Sequence, residues 1–194
     1  MQAARGTSLS DDGSSLADIP SAPSRPRIRA LLFGSFALLY ALDQVTKWLA
    51  VDRLTGRPDK ELLGQVLVLH LTRNPGAAFS TGTSHTELFT VLAVAAVVVV
   101  LWLSRRLRSG AWAVAFGLLL AGIIGNLTDR VFRAPGVLRG HVVDFLMLPH
   151  WPIFNVADMC INVAAALILV LAFRGIRLDG SRVPRTDATD SPTP

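Results

Sequence analysis

The chain has 194 residues, 51% of them hydrophobic, and a formal charge of +5 carried almost wholly by arginine. The apolar residues are gathered into long runs, which excludes an ordinary water-soluble domain and indicates a single-domain integral membrane protein. One cysteine, Cys160, excludes an intrachain disulfide and a thiolate metal cluster, and 7% aromatics without basic and aromatic interleaving argue against nucleic-acid binding.

Residues 1–24 are rich in Ser, Ala, Asp and Pro and read as a disordered cytoplasmic extension. The first span, from about Ile28 to Val51, follows Arg25, Arg27 and Arg29 and is too long for a signal-peptide core, so it is expected to stay as an anchor. Residues 52–86 begin polar and then alternate weakly through Val66, Val68, His70 and Leu67, Leu69, Leu71, which predicts one or two strands outside the membrane before a turn at Asn74-Pro75-Gly76. The second span, Glu87 to Leu103, contains a valine run that would suit a strand in water. In lipid a lone strand leaves its backbone unpaired, so helix is expected. A short link, SRRLRSG, leads to a third span from Ala111 to about Leu127, and a fourth begins near Trp151.

Four helices put both termini on one side of a membrane. The unopposed Arg105, Arg106 and Arg108, with the arginines before the first span and Arg174 and Arg177 after the last, favour the cytoplasm for that side. The membrane domain is then residues 25–177, followed by a disordered cytoplasmic tail over 178–194.

Asp43, Asp129, Asp144 and Asp158 all fall toward the outer ends of spans or, for Asp144, in the loop joining the last two. An intramembrane carboxylate costs about 3 kcal/mol on insertion scales, so four at one level point to a functional site. Some have plain structural readings. Asp43 and Lys47 are spaced as an i, i+4 ion pair, Asp129 with Asn126 and Arg130 reads equally as a polar clasp between helices, and Asn74 suits turn geometry. Asp144, in VVDF, has no basic neighbour, and Asp158 has only Asn155 as a local polar partner, about two turns inside its helix. Two poorly hydrated carboxyl groups that approach each other share one proton near neutral pH. One ionised partner can take a proton from water while the protonated one donates to a scissile carbonyl. Ser80, Ser84 and His85 lack a nucleophile elbow, and the four histidines have no H-E-x-x-H spacing, so serine and zinc mechanisms fit poorly.

The blocks DQVTKWLA from Asp43, RNPGAAFS from Arg73, GIIGNLTDR from Gly122, HVVDFL from His141 and FNVAD from Phe154 together resemble the lipoprotein signal peptidases, signal peptidase II, over roughly residues 28–175. The resemblance implies a mainly α-helical membrane protein with four transmembrane helices and a small extracytoplasmic β-cradle between helices 1 and 2. It implies an aspartyl endopeptidase that removes signal peptides from diacylglyceryl-modified bacterial prolipoproteins just before the lipidated cysteine, in the cytoplasmic membrane, with its site near the extracytoplasmic face. Carried onto this sequence, the catalytic dyad is Asp144 and Asp158. Asp43, Asn74, Asn126, Asp129, Arg130 and Asn155 become supporting and substrate-binding residues. Compared with the family, the link VFRAPGVLRGH is longer and the stretch from VVDF to FNVAD shorter, both in the outer loop.

No metal or cofactor is expected. The expected partners are lipid-modified prolipoproteins and membrane lipids, without nucleic acid, and the chain is expected to act as a monomer. Two rival readings predict different behaviour. A proton-coupled transporter needs a polar route through both leaflets, whereas these carboxylates lie on one side; a noncatalytic assembly factor would lose stability, and nothing else, when Asp144 or Asp158 is neutralised.

Overall fold

The computed structural model describes residues 24–76 and 86–183. The elements are α1 (Arg25–Leu54), β1 (Lys60–Leu63), β2 (Leu67–Asn74), α2 (Thr86–Ser104), α3 (Gly110–Phe132), β3 (Val142–Met147) and α4 (Val156–Phe173). All four helices are long and apolar enough to cross a membrane. Ser80, Ser84 and His85, residues 1–23 and residues 184–194 lie outside the described residues.

α3 is the organising helix, with half of its apolar window buried against 17–22% for the other three. Small residues make this possible. A Cβ at Gly122 would stand 2.5 Å from the Ala157 carbonyl oxygen on α4, and one at Gly125 would stand 2.6 Å from Asp43 Oδ2 on α1. Close approach of backbones replaces the hydrophobic drive that lipid does not supply. Toward the end that holds both termini, Ile28, Leu32, Val100, Trp112, Phe116, Leu120 and Leu171 bring α1, α2, α3 and α4 into one apolar cluster.

At the other end the antiparallel sheet has the order β1-β2-β3. Its third strand is supplied from between α3 and α4, so Asp144 stands on a strand and not in the expected loop. The reason is strand alternation. Val143 and Phe145 are buried against Ala50 and Leu54 of α1, joined by Leu69 and Leu71 of β2, and the intervening Asp144 must face the opposite way. β3 pairs Asp144 with Thr72, which puts Asn74 two residues along on the same face.

The fourth span also starts later than its apolar run suggests. Trp151 to Phe154 stays outside the helix, with Phe154 bridged to Leu146 of β3. Asn155 is the N-cap of α4: its side chain accepts from Asp158 N at 3.0 Å while Asp158 Oδ2 accepts from Asn155 N at 3.1 Å. This reciprocal capping box places Asp158 in the first turn, not two turns inside. The identical Asn-x-x-Asp spacing at Asn126 and Asp129 caps nothing, because α3 runs on to Phe132.

Residues 178–183, expected to begin a disordered tail, fold back in this structure. Leu178 O accepts from Arg108 N at 2.9 Å and Ser109 N at 3.3 Å, and Trp112 Nε1 donates to Ile176 O at 2.9 Å. The first two bonds satisfy backbone N–H groups at the start of α3 that the helix cannot pair internally.

Candidate active site

Five elements aim polar side chains into one region: α1 supplies Asp43 and Lys47, β2 supplies Asn74, α3 supplies Asn126, Asp129 and Arg130, β3 supplies Asp144, and α4 supplies Asp158 together with its N-cap Asn155. Lys47 is fully buried, and its ammonium uses all three protons. It lies 3.0 Å from Asp43 Oδ2 and 2.9 Å from Asp129 Oδ2, and donates to Asn126 Oδ1 at 2.9 Å. Asn126 then donates through Nδ2 to Asp158 Oδ1 at 2.8 Å. Because Lys47 and Asn155 Nδ2 both donate to Asn126 Oδ1, the amide of Asn126 has a single favourable orientation, with its nitrogen toward Asp158.

Asn155 joins the two remaining carboxylates. Its Nδ2 donates to Asp144 Oδ1 at 2.6 Å and its backbone N–H to Asp158 Oδ2, so Asp144 and Asp158 flank one residue. Asn74 Nδ2 donates to the other Asp144 oxygen at 2.9 Å. Asp43, Asp129, Asp144 and Asp158 therefore belong to one connected network. Asp144 is buried and Asp158 is half-buried, which leaves the second carboxyl reachable by water.

Burial pushes the Asp144 carboxyl up to about 6, and the charge of Asp158 adds to this, while hydrogen bonds from Asn74 and Asn155 and the charge of Lys47 oppose it. Asp144 thus holds a proton at a pH where an ordinary aspartate has lost it.

The outer aspartates do a different job. Asp43 Oδ1 accepts from Ala157 N at 2.9 Å, tying α1 to the first turn of α4, and Gln44 donates to Asp43 Oδ2 at 2.9 Å. Asp129 accepts from Arg133 and from Val143 N, the latter at 3.2 Å, and so anchors the strand that carries Asp144. Arg130 lies at the site with its guanidinium 5.9 Å from the Phe89 ring, and its buried Nη1 has no hydrogen-bond partner among the described residues. An unspent cationic donor beside two carboxyl groups suits a carbonyl oxygen of a bound ligand.

Three site residues were poorly legible in the sequence. Lys47 read as half of an ion pair near the membrane boundary, whereas it is the centre of the buried network. Gln44 and Arg133 gave no signal beyond ordinary polarity. The usable clue for Lys47 was its place in an apolar span, where a cation needs more than one partner to offset its desolvation. The long link between α3 and β3 packs on α2: Thr90 donates to Leu138 O at 2.9 Å, and Arg139 pairs with Glu87.

A sequence profile described as Signal peptidase (SPase) II matches residues 35–174. The chain belongs to the signal peptidase II family. Among curated relatives of this family, the lipoprotein signal peptidase of Rhodococcus jostii (strain RHA1) is 49% identical over 166 residues, spanning 84% of this chain and 83% of that protein. That of Leifsonia xyli subsp. xyli (strain CTCB07) is 46% identical over 169 residues, spanning 84% and 78%. A solved structure described as a bacterial membrane enzyme superposes with a TM-score of 0.63 at 26% identity, covering 72% of this chain and 90% of the other. This signal peptidase II family member is accordingly a multi-pass bacterial membrane peptidase, and the expected fold of four spanning helices with a small sheet is the one observed.

Proposed function

We propose that the chain cleaves signal peptides from diacylglyceryl-modified prolipoproteins immediately before the lipidated cysteine, with Asp144 and Asp158 as its catalytic dyad. The observation that carries the dyad is their convergence on Asn155 from β3 and α4, one carboxyl buried and the other half-buried. Asp144, with its raised proton affinity, holds the shared proton, and ionised Asp158 orients water. Asp158 takes a proton from that water as its oxygen attacks the scissile carbonyl carbon, while Asp144 protonates the carbonyl oxygen. Collapse of the tetrahedral intermediate transfers a proton to the cysteine nitrogen and breaks the C–N bond, leaving a carboxyl on the signal peptide and an amine on the lipidated cysteine. Arg130 Nη1 holds a substrate carbonyl, Asn74, Asn126 and Asn155 orient the carboxyls, and Asp43 and Asp129 fasten the elements that carry them.

The route uses water and side chains, and calls on neither metal nor organic cofactor. The arginine-rich end of the bundle lies in the cytoplasm with both termini, so the site faces the extracytoplasmic boundary, where a signal helix enters sideways from lipid. A monomer encloses the site. Nucleic acid has no part in it.

The purified chain in liposomes is expected to cleave a diacylglyceryl-modified prolipoprotein and to leave the unmodified precursor intact. Cleavage of neither, or of both alike, removes the substrate assignment. The pH dependence gives a second test. Protonated Asp144 is the active form, so kcat/KM falls as pH rises through about 6. The Asn74 hydrogen bond favours the ionised form, so Asn74→Leu moves this limb to higher pH. A limb that stays in place or moves down assigns the titration to another group.

A further inference from the structure

On the far side of β3 from Asp144, the outer end of α1 and the sheet enclose a groove of about 650 Å³ that the proposed chemistry does not use. Its floor is apolar, formed by Leu49, Ala50 and Leu54 of α1, Leu69 of β2 and Phe145 of β3. Arg53, Arg57 and Lys60 stand on its walls, with Asp59 as the one carboxylate among them. Asp59 is engaged by His70 at 2.8 Å, and Arg53 is paired with exposed Asp52 at 3.0 Å. Arg57 and Lys60 make no ion pair among the described residues. Three cations face one lining carboxylate and Asp52, which pairs Arg53 from outside the lining, so the groove keeps a net positive charge.

The groove adjoins the exposed apolar face of α1. Leu38, Leu42, Val45 and Trp48 form the exposed surface of α1 below it, and partly exposed Leu49 carries that surface into the floor. Thr46 and Arg53 are seven residues apart, about 10 Å along the helix, so an acyl segment on the floor brings a phosphate to the cationic rim. A substrate peptide at Asp144 lies on the opposite face of the strand, because Phe145 and Asp144 alternate.

We propose that this groove holds one anionic phospholipid of the surrounding bilayer, its acyl chain against Leu49, Leu69 and Phe145 and its phosphate at Arg53, Arg57 and Lys60. A zwitterionic headgroup brings its own ammonium and gains less from unpaired cations. The lipid braces β3 from behind and so steadies the strand that carries Asp144. This inference rests on the membrane placement of the helices and is independent of the peptidase assignment.

Native mass spectrometry of the detergent-purified full chain, titrated with phosphatidylglycerol or phosphatidylcholine, tests it. The wild type is expected to retain one more phosphatidylglycerol than the combined Arg53→Gln, Arg57→Gln, Lys60→Gln variant, whose affinity at this site drops about 100-fold. Leu49→Trp, which fills the apolar floor, also loses that lipid. Arg105→Gln with Arg106→Gln, at the opposite end, keeps it. Equal retention of phosphatidylcholine overturns the proposal, as does unchanged phosphatidylglycerol binding in the combined and Leu49→Trp variants. A combined variant that keeps the lipid but raises KM for the lipidated precursor assigns the groove to substrate and also overturns it.

Discussion

Asp144→Asn and Asp158→Asn each lower cleavage of a diacylglyceryl-modified prolipoprotein by about 10³-fold or more per folded molecule, the scale of losing a positioned acid or base from a transition state. The comparison is meaningful only if the variants fold, and the local energetics favour this. Asp144 accepts amide protons on both oxygens, from Asn155 at 2.6 Å and Asn74 at 2.9 Å. An amide at this position sets its own NH2 against one of these donors until a neighbour turns over, a cost of about 1–3 kcal/mol. Against this, burial raises the carboxyl from the ordinary aspartate range to about 6. A group raised in the folded state favours folding below its unfolded pKa and loses that contribution as pH rises through the folded value, so above pH 6 the ionised wild-type carboxyl costs about 3 kcal/mol. The neutral amide escapes this cost, and the two terms offset each other. Asp158→Asn weakens the capping box of α4, a loss of about 1 kcal/mol. Asp129→Asn provides the contrast: it loosens Lys47, Arg133 and Val143 and lowers the yield of folded protein, yet leaves measurable cleavage in what folds. Normal cleavage by Asp144→Asn, at wild-type folding, removes that residue from the chemistry.

Lys47→Met is expected to be the most damaging single change to stability. Its ammonium is the shared partner of Asp43, Asp129 and Asn126, all within 3.0 Å, and the ammonium and both carboxylates are closed to solvent. Breaking a buried charge cluster by removing one member costs about 3–5 kcal/mol, because the remaining charges stay desolvated without compensation. That corresponds to a fall in thermal midpoint of roughly 6–20 °C for a chain of this size. Asp129 retains Arg133, so the larger burden falls on Asp43, whose remaining side-chain partner is Gln44. Lys47→Met combined with Asp43→Asn should therefore recover at least about 1 kcal/mol relative to the sum of the single changes. Melting curves of the four proteins in one detergent measure this coupling. A Lys47→Met variant that melts with the wild type would show that the cluster is not what holds α1, α3 and α4 together at this end. The same substitution removes one of the two donors that orient the amide of Asn126, which predicts slower cleavage even in the folded fraction.

The spanning helices were legible in the sequence because a bilayer imposes its thickness on any chain that crosses it: runs of apolar residues of sufficient length have one solution, a helix, whatever their packing partners. The carboxylates were legible for the complementary reason, since a charge in such a run carries a cost that only a specific role offsets. Their partners were not. Lys47 meets Asn126 across 79 positions and Asp43 meets the α4 backbone across 114, distances over which local pattern says nothing. The two Asn-x-x-Asp motifs show the limit most plainly. Their spacing is identical, yet Asn155 ends an extended segment held by β3 and so caps a helix, while Asn126 sits inside α3 with its amide accepting from Lys47 and donating to Asp158. Asp144 likewise reads as a loop residue until β2 is present to pair with its strand. Length and hydropathy act one segment at a time and are written in the chain; the direction of a buried hydrogen bond depends on which segments meet, and that is settled by packing alone.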